Sequence, residues 1–125
     1  FASDAELRKE MCVSVIAMMS NDYETHPADA PEKMIGFAEK YGFTFPYLVD
    51  GSQMVGRAYG AVCTPDFFGF NAGLELQYRG RLDNLRIGET GHRIPELVNA
   101  MRLIADTGKG PDTQTPSMGC SIKWR

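Results

Sequence analysis

The sequence predicts an α/β layered domain, and three observations support this prediction. Helix-forming and strand-forming segments alternate along the 125 residues, as they do in α/β proteins. The apolar run 12–19 is rich in β-branched residues on both faces, which is typical of a strand covered on both sides. Two strand-like runs, 66–70 and 74–79, are joined by three residues that include Asn71 and Gly73, which predicts an antiparallel hairpin.

The best-marked helix is predicted over residues 31–41. Asp29 and Glu32 have the spacing of a capping box, and Pro31 suits the first helical turn. Gly42 follows the last apolar residue of the pattern and fits the left-handed position that ends many helices. This segment should therefore pack one apolar face against the sheet.

The remaining segments have weaker signals. Asp50 and Ser52 can each cap a two-turn helix that closes at Gly60. The last helix carries an apolar stripe at helical spacing and ends at Gly108. The predicted ranges are a short N-terminal helix at 2–11, a strand at 45–49, the two-turn helix at 53–59 and the last helix at 94–105.

Residues 109–125 are predicted to be irregular, because two prolines and two glycines interrupt them. The length suits one domain. We therefore expect a folded domain over residues 1–108 and a C-terminal tail over residues 109–125.

Composition excludes several classes of partner. With 13 Lys and Arg against 16 Asp and Glu, the net charge of −3 gives no electrostatic reason to expect nucleic acid or an acidic membrane. No apolar run approaches the roughly 20 residues that span a bilayer. The two histidines lie in polar loops and no cysteines are paired at metal-ligand spacing, so we expect no metal and no cofactor. Three sparse cysteines fit a reducing cytoplasm.

The cysteines and one proline are the candidate functional residues. Cys12 opens the predicted strand and is expected to be a small buried apolar residue. Cys63 and Cys120 are either ordinary thiols or reactive ones, and spacing alone does not choose between them. Thr64-Pro65 opens the strand at 66–70, where a trans proline is the ordinary case. A cis-proline there would instead leave the backbone groups before it free to bind an extended thiol substrate.

Several blocks of sequence resemble the peroxiredoxin-like branch of the thioredoxin-fold superfamily, of the alkyl hydroperoxide reductase/thiol-specific antioxidant type. The resemblance covers about residues 12–124, nearly the whole chain. Its blocks are residues 20–34, Phe45-Pro46-Tyr47-Leu48, Ala58-Tyr59-Gly60-Ala61-Val62-Cys63-Thr64-Pro65-Asp66-Phe67-Phe68, Tyr78-Arg79-Gly80-Arg81-Leu82-Asp83 and Gly119-Cys120-Ser121-Ile122-Lys123-Trp124.

The resemblance implies a thioredoxin-like three-layer sandwich with a mixed sheet, a C-terminal β-hairpin and a helix. It implies that Thr64-Pro65 is cis and binds substrate, and that the protein reduces a disulfide or a peroxide with a thiol electron donor. Cys63 and Cys120 are then candidate catalytic residues, with Cys120 as a resolving thiol on a mobile tail. The family's main reactive cysteine has no counterpart in residues 1–125 and is expected upstream of Phe1.

Two further expectations follow from this resemblance. The family's central strand would also precede residue 1, between the strands at 12–19 and 66–70, and would leave two open sheet edges. Pairing with a second copy in a homodimer is one way to cover such edges. The rival hypothesis is a non-catalytic thioredoxin-fold module that binds an extended partner along the cis-proline edge.

Overall fold

The computed structural model describes residues 12–85 and 91–125, and within them it shows a mixed α/β chain with short sheets and three α-helices. The predicted helix at 2–11 lies outside the described residues. The elements in chain order are β1 (Ala17–Met19), a 3-10 turn (Pro27–Asp29), α1 (Pro31–Lys40), β2 (Tyr47–Val49), α2 (Met54–Tyr59), β3 (Cys63–Thr64), β4 (Phe67–Phe70), β5 (Leu76–Gly80), α3 (Glu96–Thr107) and β6 (Cys120–Ser121).

The chain divides into two compact units. The first unit contains Ser14–Val62 together with Ser121–Arg125, and the second contains Cys63–Cys120 with residues 12–13. The C-terminal residues of the chain therefore belong to the same unit as β1, β2, α1 and α2.

The first unit is built on a parallel pair of strands. β1 and β2 run side by side, with Ala17 opposite Tyr47 and Met19 opposite Val49. α1 packs against β2 and buries Met34. Parallel pairing is expected where a helix forms the crossover between two strands, as α1 does here.

The predicted strand at 12–19 is wrong over most of its length. Only Ala17–Met19 form β1, because β2 offers just three partner residues. Ile16 is 63% exposed, and Cys12 is exposed with φ 56°, so neither is covered as the apolar pattern suggested.

The predicted capping box at α1 is also wrong. The residue before the helix is Ala30, and no side chain caps the helix N-terminus. The Asp29 carboxylate instead accepts a hydrogen bond from the side-chain amide of Asn21 at 3.1 Å. Pro31 does occupy the first helical position, and Gly42 has the expected positive φ of 65°.

The start of α2 agrees better with the sequence. The Asp50 carboxylate accepts the backbone N–H groups of Val55 at 3.4 Å and Gly56 at 2.8 Å. The Ser52 hydroxyl accepts the N–H of Met54 at 3.2 Å. Both predicted capping residues therefore satisfy backbone donors that the helix itself leaves without partners.

The second unit is an antiparallel hairpin covered by a helix. β4 and β5 pair as predicted, with Phe67 opposite Gly80 and an irregularity at Gly69/Phe70. α3 packs on both strands and ends at Gly108, whose φ is 77°. The centre of this unit contains Tyr78, Ala100 and Ile104, surrounded by partly buried side chains of Phe67, Leu97 and Met101.

Candidate functional site

The predicted site residues meet at β3 in the second unit. The Thr64–Pro65 peptide bond is cis, the configuration that the resemblance implies. β3 pairs with β6, which begins at Cys120. The Thr64 hydroxyl donates to the backbone oxygen of Cys120 at 3.4 Å. The four predicted site residues, Cys63, Thr64, Pro65 and Cys120, therefore lie in one neighbourhood.

Cys63 is buried, with 9% of its surface exposed. Its thiol contacts the backbone oxygen of Pro65 at a sulfur–oxygen distance of 3.9 Å. Burial raises the pKa of the Cys63 thiol, the nearby Asp66 carboxylate raises it further, and Arg79 opposes the shift in part. Because the thiolate is the reactive form, these surroundings keep Cys63 protonated and weakly nucleophilic.

Cys120 has the opposite environment, since its residue is exposed. The residue before it, Gly119, lies against β3 so closely that a Cβ there would overlap the carbonyl oxygen of Thr64. Glycine is thus needed at 119 for the chain to approach β3. This contact brings the backbone of the next residue, Cys120, beside Thr64, and Cys120 stays exposed.

The two candidate thiols differ in exposure, because Cys63 is buried and Cys120 is exposed. Successive side chains of a strand point to opposite sides, and in β3 the Cys63 side is buried while Thr64 is exposed. Thr64 is the residue that contacts Cys120. Both cysteines are free thiols.

Asp66 and Arg79 supply the charges nearest to this site. Arg79 Nη2 lies 3.8 Å from Asp66 Oδ2, and the Asp66 side chain is almost fully buried. The guanidinium of Arg79 also lies over the ring of Phe68, 5.1 Å from its centroid. The positive charge of Arg79 partly offsets the effect of the Asp66 carboxylate on the pKa of the Cys63 thiol.

The sequence predicted no contacts for the tail, yet hydrogen bonds hold it along β5. The Gln114 side chain accepts from the Arg79 N–H at 2.9 Å and donates to the Gln77 oxygen at 2.7 Å. The Arg81 N–H donates to the Thr115 oxygen at 3.0 Å, and the Ser117 hydroxyl donates to the Gly80 oxygen at 2.6 Å. These bonds satisfy the outer edge of the hairpin, which would otherwise be open to pairing.

The end of the tail is held in the first unit by residues that the sequence did not single out as a site. The Gln53 side chain, 2% exposed, donates to the backbone oxygens of Ser20 at 2.8 Å and Lys123 at 2.9 Å. Arg125 forms an ion pair with Asp22 at 3.2 Å. A glutamine directly before a short helix carries no recognisable sequence signal for such a role.

The part of the chain that the structure describes contains neither a cluster of metal ligands nor a membrane-spanning helix. Within residues 12–85 and 91–125, no group of three or more His, Cys, Asp or Glu side chains could hold a metal ion. Over the same residues, no helix has the length and apolar character required to cross a membrane.

Comparison with known proteins identifies relatives among solved structures. The sequence matches no family model and no curated protein. An uncharacterized conserved protein from Geobacillus kaustophilus is 41% identical to this chain, with a TM-score of 0.87. A hypothetical protein from Sinorhizobium meliloti 1021 is 38% identical, with a TM-score of 0.90.

Both matches include 99% of this chain and 68% of the solved chain, so this sequence spans about two thirds of the length of each relative. Identity at this level over the whole chain, together with the same fold, shows that the three proteins belong to one family. The chain belongs to the family that contains these two bacterial proteins.

Proposed function

We propose that this chain is a thioredoxin-fold, peroxiredoxin-like protein that takes part in thiol–disulfide chemistry. The sequence blocks described above support the family resemblance. The parallel pair β1–β2, followed along the chain by the hairpin β4–β5 and α3, agrees with a thioredoxin-like element order. Three free cysteines support a reducing compartment such as the cytoplasm.

The observation that carries the proposal is that Cys120 is an exposed cysteine whose backbone oxygen is bonded to the Thr64 hydroxyl, next to the cis-proline. An accessible thiol next to a strand edge can meet an extended disulfide substrate, whereas a buried one cannot without local opening. We therefore assign the exchanging role within this chain to Cys120. Cys63, protonated and bonded to the Pro65 oxygen, supports the local backbone instead.

The proposed exchange begins when Cys120 loses its proton to solvent. Its thiolate attacks one sulfur of a substrate disulfide, so a new S–S bond forms and the second substrate sulfur leaves as a thiolate. One thiolate of a dithiol electron donor then attacks the Cys120 sulfur of the mixed disulfide, and the first substrate sulfur leaves as a thiolate. The donor's second thiolate attacks the donor sulfur of the resulting Cys120–donor disulfide, which closes a disulfide within the donor and restores the Cys120 thiolate. The donor becomes oxidised by two electrons and the substrate disulfide becomes reduced by two electrons. A hydroperoxide is the alternative oxidant for the same thiol.

The binding-module hypothesis has less support from the contacts. One edge of β3 is already paired with β6, and the Thr64 carbonyl lies against Gly119. A partner strand would have to displace the tail to use that edge. Formation of a homodimer and use of a thiol electron donor stay predictions.

The proposal is tested with the reduced chain and oxidised glutathione. We expect a mixed disulfide at Cys120, identified by intact mass and peptide mapping, and turnover when a thioredoxin-like donor is added. Cys120→Ser should abolish turnover and leave the mixed disulfide at Cys12 as the main one, while Cys12→Ser, which removes a second exposed cysteine, serves as the matched control and should retain turnover and the mixed disulfide at Cys120. Equal modification and turnover in the Cys120→Ser variant would reject this assignment.

A further inference from the structure

The C-terminal residues of the chain lie in a groove of the first unit, which we call the tail groove. Its walls are Asn21–Tyr23 and Gly51–Arg57, and its occupant is the segment Ser121–Arg125. Within this segment, the Ile122 side chain is buried, and the Ile122 N–H donates to the Val62 oxygen at 3.3 Å.

The groove binds the backbone of its occupant through one backbone N–H group and through the side chains of Asn21 and Gln53. The Lys123 oxygen accepts from the Asp22 N–H at 2.7 Å and from the Gln53 side chain at 2.9 Å. The Lys123 N–H donates to the Asn21 side-chain oxygen at 2.8 Å, and the Arg125 N–H donates to the Gln53 side-chain oxygen at 3.1 Å. Main-chain bonds of this kind supply affinity for any extended peptide.

Two side chains of the occupant are recognised as well. The Trp124 ring lies beneath Arg57, whose guanidinium carbon is 4.2 Å from the ring centroid. Gly56 also borders the indole, because an added Cβ at this residue would come within 3.2 Å of it. A residue with a side chain at 56 would therefore narrow the space that the indole occupies. Tryptophan is favoured because its face attracts a cation and its area is large.

Arg125 is recognised through its charge and its donors. Its Nε lies 3.2 Å from Asp22 Oδ1, and its Nη1 donates to the Gly51 oxygen at 2.8 Å. The same guanidinium lies over the Tyr23 ring, 5.6 Å from the centroid. The groove thus selects a Trp followed by an Arg within an extended basic segment.

The walls of the groove are held by bonds that do not involve the tail. Gln53 has φ 63° and its side chain is fixed to the Ser20 oxygen. The Ser20 hydroxyl donates to Asp50 at 2.8 Å, and Asp50 in turn accepts the Gly56 N–H. A wall built in this way can keep its shape when the tail leaves.

We propose that the tail groove is a peptide-docking site, occupied here by the chain's own Ser121–Arg125, that accepts the same segment from a second copy once its own tail is displaced. The exchanged segment would make the same contacts in either case, which is why such exchange costs little energy. The chain's own tail has the advantage of a high effective concentration, so exchange requires its displacement. This inference goes beyond the proposed redox function and does not depend on it.

The first test measures binding of a labelled Ser-Ile-Lys-Trp-Arg peptide to the full chain by fluorescence anisotropy. The double variant Trp124→Ala/Arg125→Ala should release its own tail and bind the peptide at least about tenfold more tightly than the wild-type chain does. A Ser-Ile-Lys-Ala-Ala peptide is the matched control and should bind at least about tenfold more weakly, because it keeps the main-chain bonds but lacks the indole and the guanidinium. Equal affinity of the peptide for both chains, or equal affinity for both peptides, would overturn the proposal.

The second test is complementation between two altered copies. Gln53→Ala damages the groove but keeps an intact tail, and the double variant keeps the groove but has no functional tail. We expect a 1:1 heterodimer in sedimentation only when the two are mixed, with a change in the fluorescence of the chain's single tryptophan, which only the Gln53→Ala copy retains. Circular dichroism establishes beforehand that each copy is folded. A mixture of folded copies that sediments as monomers would refute the exchange between copies.

Discussion

At the scale of single residues, the chemistry of the three thiols is set by their different surroundings. Cys63 is buried against the Pro65 oxygen, while Cys12 and Cys120 are exposed. The sequence alone treated Cys12 as the buried cysteine and could not separate Cys63 from Cys120. Tertiary contacts, rather than neighbouring residue types, decide which thiol meets solvent.

We predict that iodoacetamide modifies Cys120 and Cys12 in the folded chain on the order of tenfold or more faster than Cys63, because Cys63 is shielded and its pKa is raised. Peptide mapping by mass spectrometry after timed quenching measures the three rates. In denaturant the rates should converge. A rate for Cys63 in the folded chain equal to that of Cys120 would contradict this prediction.

Gly119 is the residue that allows the tail to approach β3. A Cβ at this position would overlap the Thr64 carbonyl, which is backbone and cannot move aside cheaply. We expect Gly119→Ala to lower the free energy of unfolding by about 1–3 kcal/mol in urea titrations.

The matched control for this change is Gly36→Ala in the middle of α1, where an added Cβ meets nothing within 4 Å. Since alanine is the better helix former, that change should raise the free energy of unfolding by about 0.5–1 kcal/mol. If the two glycine substitutions shifted stability in the same direction, the close approach of Gly119 to Thr64 would not be important for folding.

At the scale of elements, α3 shows how an apolar stripe becomes a core. Its predicted stripe included Ile104, which packs with Tyr78 and Ala100 at the centre of the second unit. Ile94, also in the predicted stripe, precedes the helix and is 45% exposed. Periodicity identified the helix, but the contact with β4 and β5 determined which part of the stripe is buried.

We predict that Ile104→Ala destabilises the chain by about 2–5 kcal/mol, because it leaves a cavity in a well-packed core. Leu103→Ala is the neighbouring control, since Leu103 is 39% exposed against 4% for Ile104. The control should cost less than about 1 kcal/mol. Thermal or urea unfolding measures both, and similar losses for the two variants would show that Ile104 is not a core residue.

At the scale of the whole molecule, the free energy of unfolding should depend on pH, because the carboxylates of Asp50 and Asp22 accept hydrogen bonds in the folded chain. Burial acts to raise the pKa of Asp50, but hydrogen bonds from the Gly56 N–H and the Ser20 hydroxyl outweigh it and lower the pKa. The hydroxyl of Thr25, with smaller contributions that include Arg125, lowers the pKa of Asp22. Both groups are therefore more acidic in the folded chain than in the unfolded chain.

A lowered pKa contributes stability that is fully present above the unfolded value of 3.8 and is lost as the pH falls through the lower folded value. We predict a free energy of unfolding that declines below about pH 4 and a smaller decline in Asp50→Asn. Urea titrations from pH 2 to 7 measure it, with Asp112→Asn at an exposed position as the control. The same slope in wild type and Asp50→Asn would contradict the assignment.

Local features of the fold could be predicted because their causes lie close together in the sequence. The hairpin follows from two apolar runs around Asn71 and Gly73, and the ends of α1 and α3 follow from glycines that adopt positive φ. The cis peptide bond at Thr64–Pro65 is the configuration that the resemblance implies. The apolar pattern at 12–19 failed because a strand needs a partner, and β2 offers one only to Ala17–Met19.

The sequence by itself determined an α/β chain with an antiparallel hairpin and a final helix, and it supplied the candidate thiols and the candidate cis-proline. Only the tertiary structure decided that Cys63 is buried, that Cys120 is exposed, and that the tail is bound at both β5 and the tail groove. The physical reason is separation along the chain: Gln53 and Lys123 are 70 residues apart, and Thr64 and Cys120 are 56 apart. No local pattern encodes such contacts, because they depend on how the whole backbone brings distant donors and acceptors together.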